Sequence, residues 1–149
     1  MSVFPTKILL ATDGSEDAAL AAETAIELAN KTASELHVLY VGLAAYQTNS
    51  YDEYYVGNYV QEQKELDRIS QQVLDEQVRN IEARGGSVAQ AHLDAGKSDV
   101  AITDVAEQIG AGLIVMGSRG LGGIKRALMG SVSDSVVRHA HCPVLVVRK

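Results

Sequence analysis

A single cysteine, Cys142, stands among the 149 residues of this sequence. Its isolation excludes an internal disulfide framework and a multi-cysteine zinc site, and it fits a reducing compartment, the cytoplasm. Long apolar runs are lacking too: no stretch approaches the roughly 18 residues of a membrane span. The first twenty residues offer only Ile8-Leu9-Leu10-Ala11 before Asp13-Gly14 interrupts, so no signal peptide is expected. Glycine, proline or serine tracts, internal repeats and low-complexity segments are missing, which predicts one domain over residues 1–149. Three familiar chemical strings are absent as well. No P-loop occurs. The dinucleotide fingerprint breaks where Lys125 follows Gly120 and Gly122 in place of a third glycine, and no Gly-x-Ser-x-Gly elbow supports hydrolase chemistry.

What is present is ordinary globular composition, 46% hydrophobic and 21% charged, enough for a real core without staples. The net charge of −6 argues against general nucleic-acid binding, yet it is unevenly spread. From Ser118 to Lys149 six cations face one acid, Asp134, giving +5, while the preceding 117 residues carry −11. Arg119, Lys125 and Arg126 lie in a glycine-rich stretch without any acid, which suits an anion.

Short apolar runs alternate with helical ones. Lys7–Ala11 reads as a buried strand, followed by a helix capped by Ser15 with Ala18, Ala19, Ala22, Ile26 and Ala29 at helical spacing. A second strand spans about Glu35–Val41. Gly42–Tyr59, polar and holding five of the six tyrosines, reads as a lid or partner loop. Val60–Arg84 is an amphipathic helix with Leu66, Ile69, Val73, Val78 and Ile81 on its apolar side, stopped by Gly85-Gly86. Ser87–Leu93 is a third strand, and Ser98 caps a helix with Val100, Ala101, Val105 and Ile109 on one face. Leu113–Met116, the most apolar strand, belongs near the sheet centre. A helix from Ser131 to about His139 and a fifth strand, Val144–Val147, complete the pattern. Strands alternating with helices predict an α/β domain, a doubly wound open parallel sheet with helices on both faces. Such sheets bind ligands beyond the carboxyl ends of their strands, where Asp13, Val41 and Gly117 fall.

The segment from Met116 to Ser133 carries the most chemistry. Gly117 and Gly120 stand three apart, then nine residues lead to Gly130-Ser131 at a helix start. Such a start presents unpaired N–H groups and partial positive charge. Gly130 allows close approach of an anion, Ser131 can cap the helix or donate to a phosphate, and Asp134 is placed as a capping-box partner. Read plainly, the same residues are a cap and turns.

The spacing Gly-x-x-Gly-x9-Gly-Ser, the opening Ile8-Leu9-Leu10-Ala11-Thr12-Asp13-Gly14-Ser15 and the closing Arg138-His-Ala-His-Cys-Pro-Val-Leu-Val-Val-Arg148 together resemble the universal stress protein family, in its nucleotide-binding branch. The resemblance spans the chain. It implies five parallel strands ordered 3-2-1-4-5, ATP between strands one and four, and a homodimer. By position, Asp13 would face the ribose and a divalent metal such as Mg2+, with Thr12 beside it. The Val41 backbone would read the adenine edge. Met116, Gly117, Arg119 and Gly120 would line the phosphate turn, and Gly130, Ser131 and Val132 would hold phosphates. Lys97 follows Gly96 where many relatives have proline, a departure on the ribose side.

The function so implied is an ATP-binding regulatory stress-response protein that uses no catalytic residue and at most hydrolyses ATP slowly. A slow ATPase or phosphotransfer enzyme, and a ligand-free dimeric interaction module, are the alternatives. Strand five, apolar at every position, is expected to pair with a second copy; membranes and nucleic acid are not expected partners, and a protein partner is left open. Elsewhere the plain readings prevail. Asp13 can serve as a cap, His37, His92, His139 and His141 as structural or surface histidines, and Cys142 as a small hydrophobe.

Overall fold

The computed structural model describes residues 2–45, 53–118 and 130–149, with backbone alone for 53–56. The elements run β1 (Lys7–Thr12), α1 (Glu16–Thr32), β2 (Glu35–Gly42), α2 (Glu53–Ala83), β3 (Val88–Ala95), α3 (Ser98–Ile109), β4 (Leu113–Gly117), α4 (Ser131–His139) and β5 (Val144–Val147). All four strand pairings are parallel, in the order β3-β2-β1-β4-β5. This is the expected sheet.

The composition of each strand suits its place in this order. A strand covered on both faces must be apolar throughout, and Ile8, Leu9 and Leu10 in β1 and Leu113–Met116 in β4 are all buried. β3, carrying Gln90, His92 and Asp94, is mostly exposed and forms one edge; β5, half-buried at each of its four positions, forms the other. On one face Ile8, Leu10, Leu36, Val38 and Val115 meet α1 and α2. On the opposite face Leu9, Leu39, Ile114 and Met116 meet α3 and α4 through Ile102, Val105, Ala106 and Val136.

Periodicity located the helices better than their faces. In α1 the buried set is Ala18, Ala21, Ala22, Ala25, Ile26 and Ala29, while Ala19 is exposed. Where most of the small side chains are alanine, size gives little phase, so the buried side is fixed by the sheet. α2 buries Ser70, Leu74 and Ile81 and leaves Ile69 46% exposed, and α3 buries Ala101, Ile102, Val105 and Ala106 but exposes Val100. Ile69 and Val100 flank the contact, since a helix on a sheet presents a narrow stripe.

Boundaries also moved. α2 starts at Glu53, so the latter part of the stretch read as a loop to Tyr59 is helical, and residues 46–52 lie outside the described ones. Gln63, within α2, accepts the Ala45 N–H at 2.7 Å and donates to the Leu43 carbonyl at 3.5 Å, tying the segment after β2 to the helix.

Candidate functional site

β1 stands where the chain reverses its direction of winding, with β2 on one side and β4 on the other. Beyond the carboxyl ends of these strands lies a cleft of about 360 Å³. Eight of the ten residues singled out in the sequence line it: Thr12, Asp13, Val41, Met116, Gly117, Gly130, Ser131 and Val132. The other two, Arg119 and Gly120, lie outside the described residues.

The walls differ in chemistry. Ala11, Leu39, Val41, Ile102 and Met116 make an apolar side suited to a flat ring, whereas Gly130, Ser131 and Ser133 make a polar side at the start of α4. Ile102 and Ser98 of α3, and Ser118 and Ser133 beside the turn, were not foreseen. Nothing in their spacing signals a ligand; they line the cleft because α3 and α4 pack together across it.

The α4 start is open. Gly130 has φ −65° and ψ 157°, a conformation any residue adopts, so its lack of a Cβ matters for space and not for the backbone. Gly130, at the cap position, has no side chain to cap the helix, and among the described residues none does so in its place. Among the described residues no acceptor meets the N–H groups of Ser131, Val132 or Ser133, while the Asp134 N–H donates to the Gly130 carbonyl at 3.0 Å. The capping box expected from Ser131 and Asp134 is therefore absent. Ser131 is the exposed first residue of the helix, and Asp134 pairs with Arg138 at 3.0 Å, one turn along. An aspartate in a first turn has two choices, and the cation four residues on wins over the backbone.

Asp13 serves as a cap and also lines the cleft. Its Oδ1 accepts the Ser15 N–H at 2.9 Å, and Ser15 Oγ accepts the Ala18 N–H at 3.1 Å, so Ser15 caps α1 and Asp13 holds the turn before it. Gly117 is glycine for a reason the anion argument missed. A Cβ there would lie 2.9 Å from the backbone carbon and the Cβ of Asp17, and 3.0 Å from the Ala18 nitrogen. β4 can end against the first turn of α1 only without a side chain.

Other titratable groups lie apart from the cleft. Ser135 Oγ donates to Asp99 Oδ2 at 2.8 Å, which holds the Asp99 carboxyl below the usual range, with the Val100 N–H assisting. His139 Nδ1 sits 2.8 Å from the Ser135 carbonyl, so no histidine stands between serine and acid and the trio is not a hydrolytic triad. Burial pushes the Cys142 thiol up, away from nucleophilic use. His37 is 4% exposed; its Nδ1 faces His92 Nε2 at 3.0 Å and its Nε2 faces Glu35 Oε2 at 3.2 Å. The ring centres are 5.3 Å apart, one ring width more than the nitrogen separation, so the rings meet edge to edge through an N–H···N bond. Burial, and next the neighbouring His37, push the His92 pKa down. The pair links β2 to β3, a structural role of the kind expected for each histidine; the contact between them was not foreseen. Among the described residues no group of three His, Cys, Asp or Glu is placed to hold a metal ion, and no helix is long and apolar enough to cross a membrane.

A family model described as the universal stress protein family matches residues 5–148. The universal stress protein YxiE of Bacillus subtilis is 37% identical over 148 residues, covering 95% of this chain and 98% of that protein. Universal stress protein UspA from Lactobacillus plantarum superposes with a TM-score of 0.80 at 25% identity, covering 97% and 99% of the two chains. The fold recurs at lower identity in a universal stress protein in complex with cAMP (TM-score 0.66, 23% identical, 97% and 98% covered). It recurs again in an Arabidopsis thaliana family member with AMP bound (TM-score 0.58, 20% identical, 97% and 92% covered).

Proposed function

The chain belongs to the universal stress protein family, and we propose that it is a regulatory protein of the nucleotide-binding branch, with ATP as its ligand in a single domain over residues 1–149. The observation that carries this reading is the start of α4, whose first N–H groups meet no acceptor among the described residues and whose Gly130, Ser131 and Val132 line a cleft also lined by apolar side chains. Backbone N–H groups at a helix start hold phosphate oxygens. The apolar wall of Leu39, Val41 and Ile102 fits adenine, and the Val41 backbone can read its edge. Structures of relatives with cAMP and AMP support a nucleotide as the class of ligand.

Mg2+ fits the donor set as well. It binds through one or two carboxylates together with phosphate oxygens and water. Asp13 lines the cleft with one oxygen engaged by Ser15, and a carboxylate retains lone pairs beyond that bond. Arg119 would add charge at the phosphates. Binding suffices for regulation, and turnover, if present, is slow. The low cysteine content favours the cytoplasm. Calorimetry of the pure protein with ATP, with and without magnesium, tests the reading. Micromolar or tighter binding strengthened by magnesium is expected; no heat of binding at millimolar ATP would leave a ligand-free interaction module.

The homodimer is proposed on the outer edge of β5, which among the described residues pairs with β4 alone and is half-buried at Val144, Leu145, Val146 and Val147. Two such edges meeting about a two-fold axis would satisfy both. Sedimentation should give a dimer at micromolar concentration and a monomer for Val146→Pro; a monomeric wild type would end the idea.

A further inference from the structure

The residue after Gly117 has no assigned part, yet every polar group it owns is engaged. Ser118 is 4% exposed. Its N–H donates to the Val147 carbonyl at 2.8 Å, tying the end of β4 to the end of β5. Its carbonyl oxygen accepts two donors, the Gly130 N–H at 2.7 Å and Ser133 Oγ at 2.6 Å. Its own Oγ donates to Asp17 Oδ2 at 2.8 Å, a carboxylate 6% exposed in the first turn of α1. One residue therefore joins β5, α4 and α1.

Both donors to the carbonyl come from the α4 start: Gly130 is the residue before the helix, and Ser133 lies in its first turn, where its Oγ also donates to the Gly130 carbonyl at 3.0 Å. A helix that lacks a cap has no local device to fix the direction of its first N–H groups. Here that direction is set from outside, by hanging the helix on Ser118. Ser118 is itself held against α1 by a bond to a carboxylate, stronger than one between neutral groups, and by Gly117, which admits no Cβ against Asp17.

We propose that Ser118 is a positioning residue for the anion site: it holds the open start of α4 at the angle and depth that a phosphate chain needs. It does so by joining Asp17 of α1 to Gly130 and Ser133. The proposal rests on the nucleotide reading above. It adds a specificity consequence, because a tether to α4 affects the phosphate end of a ligand and leaves the adenine wall of Leu39, Val41 and Ile102 in place.

The test compares ATP with adenosine by calorimetry. Ser118→Ala removes the bond to Asp17 and so loosens the anchor of the tether on α1 while its backbone bonds remain; ATP affinity should fall about tenfold, with adenosine affinity within twofold of wild type. Ser133→Ala removes the second tether to the same carbonyl and should shift the ratio in the same direction. It carries the test alone if Ser118→Ala does not fold. Equal losses for both ligands, or an unchanged ratio in the folded variants, would overturn the positioning role. A wild type that binds neither ATP nor adenosine would overturn the nucleotide reading instead, so the two failures are distinct.

Discussion

Two helices begin side by side at the same end of the sheet, and they begin differently. α1 is closed by its own sequence: Ser15 Oγ takes the Ala18 N–H, Asp13 takes the Ser15 N–H, and Glu16 and Asp17 set negative charge against the helix dipole. α4 begins without a side-chain cap of this kind. Glycine stands at its cap, its first serine is exposed, and its first-turn acid turns to Arg138. A helix start with its own cap is held by the chain itself, whereas in the proposed reading the start of α4 is completed by a phosphate. The two starts are joined through Ser118 and Asp17, so the closed helix supplies the fixed point for the open one.

The contrast breaks most sharply if α4 is given a cap. Aspartate is among the best residues at a helix cap and exceeds glycine there by a few tenths of a kcal/mol. Gly130→Asp should therefore leave the melting temperature unchanged or slightly higher. The same carboxylate would occupy the N–H groups and repel phosphate, and like charges brought together cost several kcal/mol. ATP affinity in calorimetry should fall on the order of 100-fold or more. A stable variant that still bound ATP would show that the open start is not the anion site.

Much of this was legible before any coordinates. Parallel α/β architecture follows from alternating buried strands and helices, and the strand ends named Asp13, Val41 and Gly117 because open sheets present their ligands there. The order β3-β2-β1-β4-β5 came from resemblance to a family, since apolar runs identify strands without their neighbours. What escaped the sequence was contact of the non-periodic kind. Ser131 and Asp134 have the spacing of a capping box, and only the competing Arg138 shows why they do not form one. Gly117 looked like an anion glycine, whereas the first turn of α1 against it is a tertiary fact. Ser118, Ser133 and Asp17 are small or polar residues without a pattern. Their joint role depends on bringing together positions 101 apart in the chain for one bond and 15 for another.

A smaller effect sharpens the comparison from the other helix. Ser15→Ala removes the cap of α1, and the loss of a serine cap costs about 1 kcal/mol. In a domain of this size that lowers the melting temperature by roughly 2–4 °C. The cost belongs to the fold, because the Ala18 N–H then loses its acceptor in every state of the ligand site. ATP and adenosine affinities should consequently keep their ratio, and ATP affinity should move far less than with Gly130→Asp. Ser15 lines the cleft, so the measurement is a demanding one. If Ser15→Ala lowered ATP affinity as much as Gly130→Asp while leaving adenosine unaffected, α1 would share the anion site with α4. The division between a helix start that closes on itself and one that waits for a phosphate would then fail.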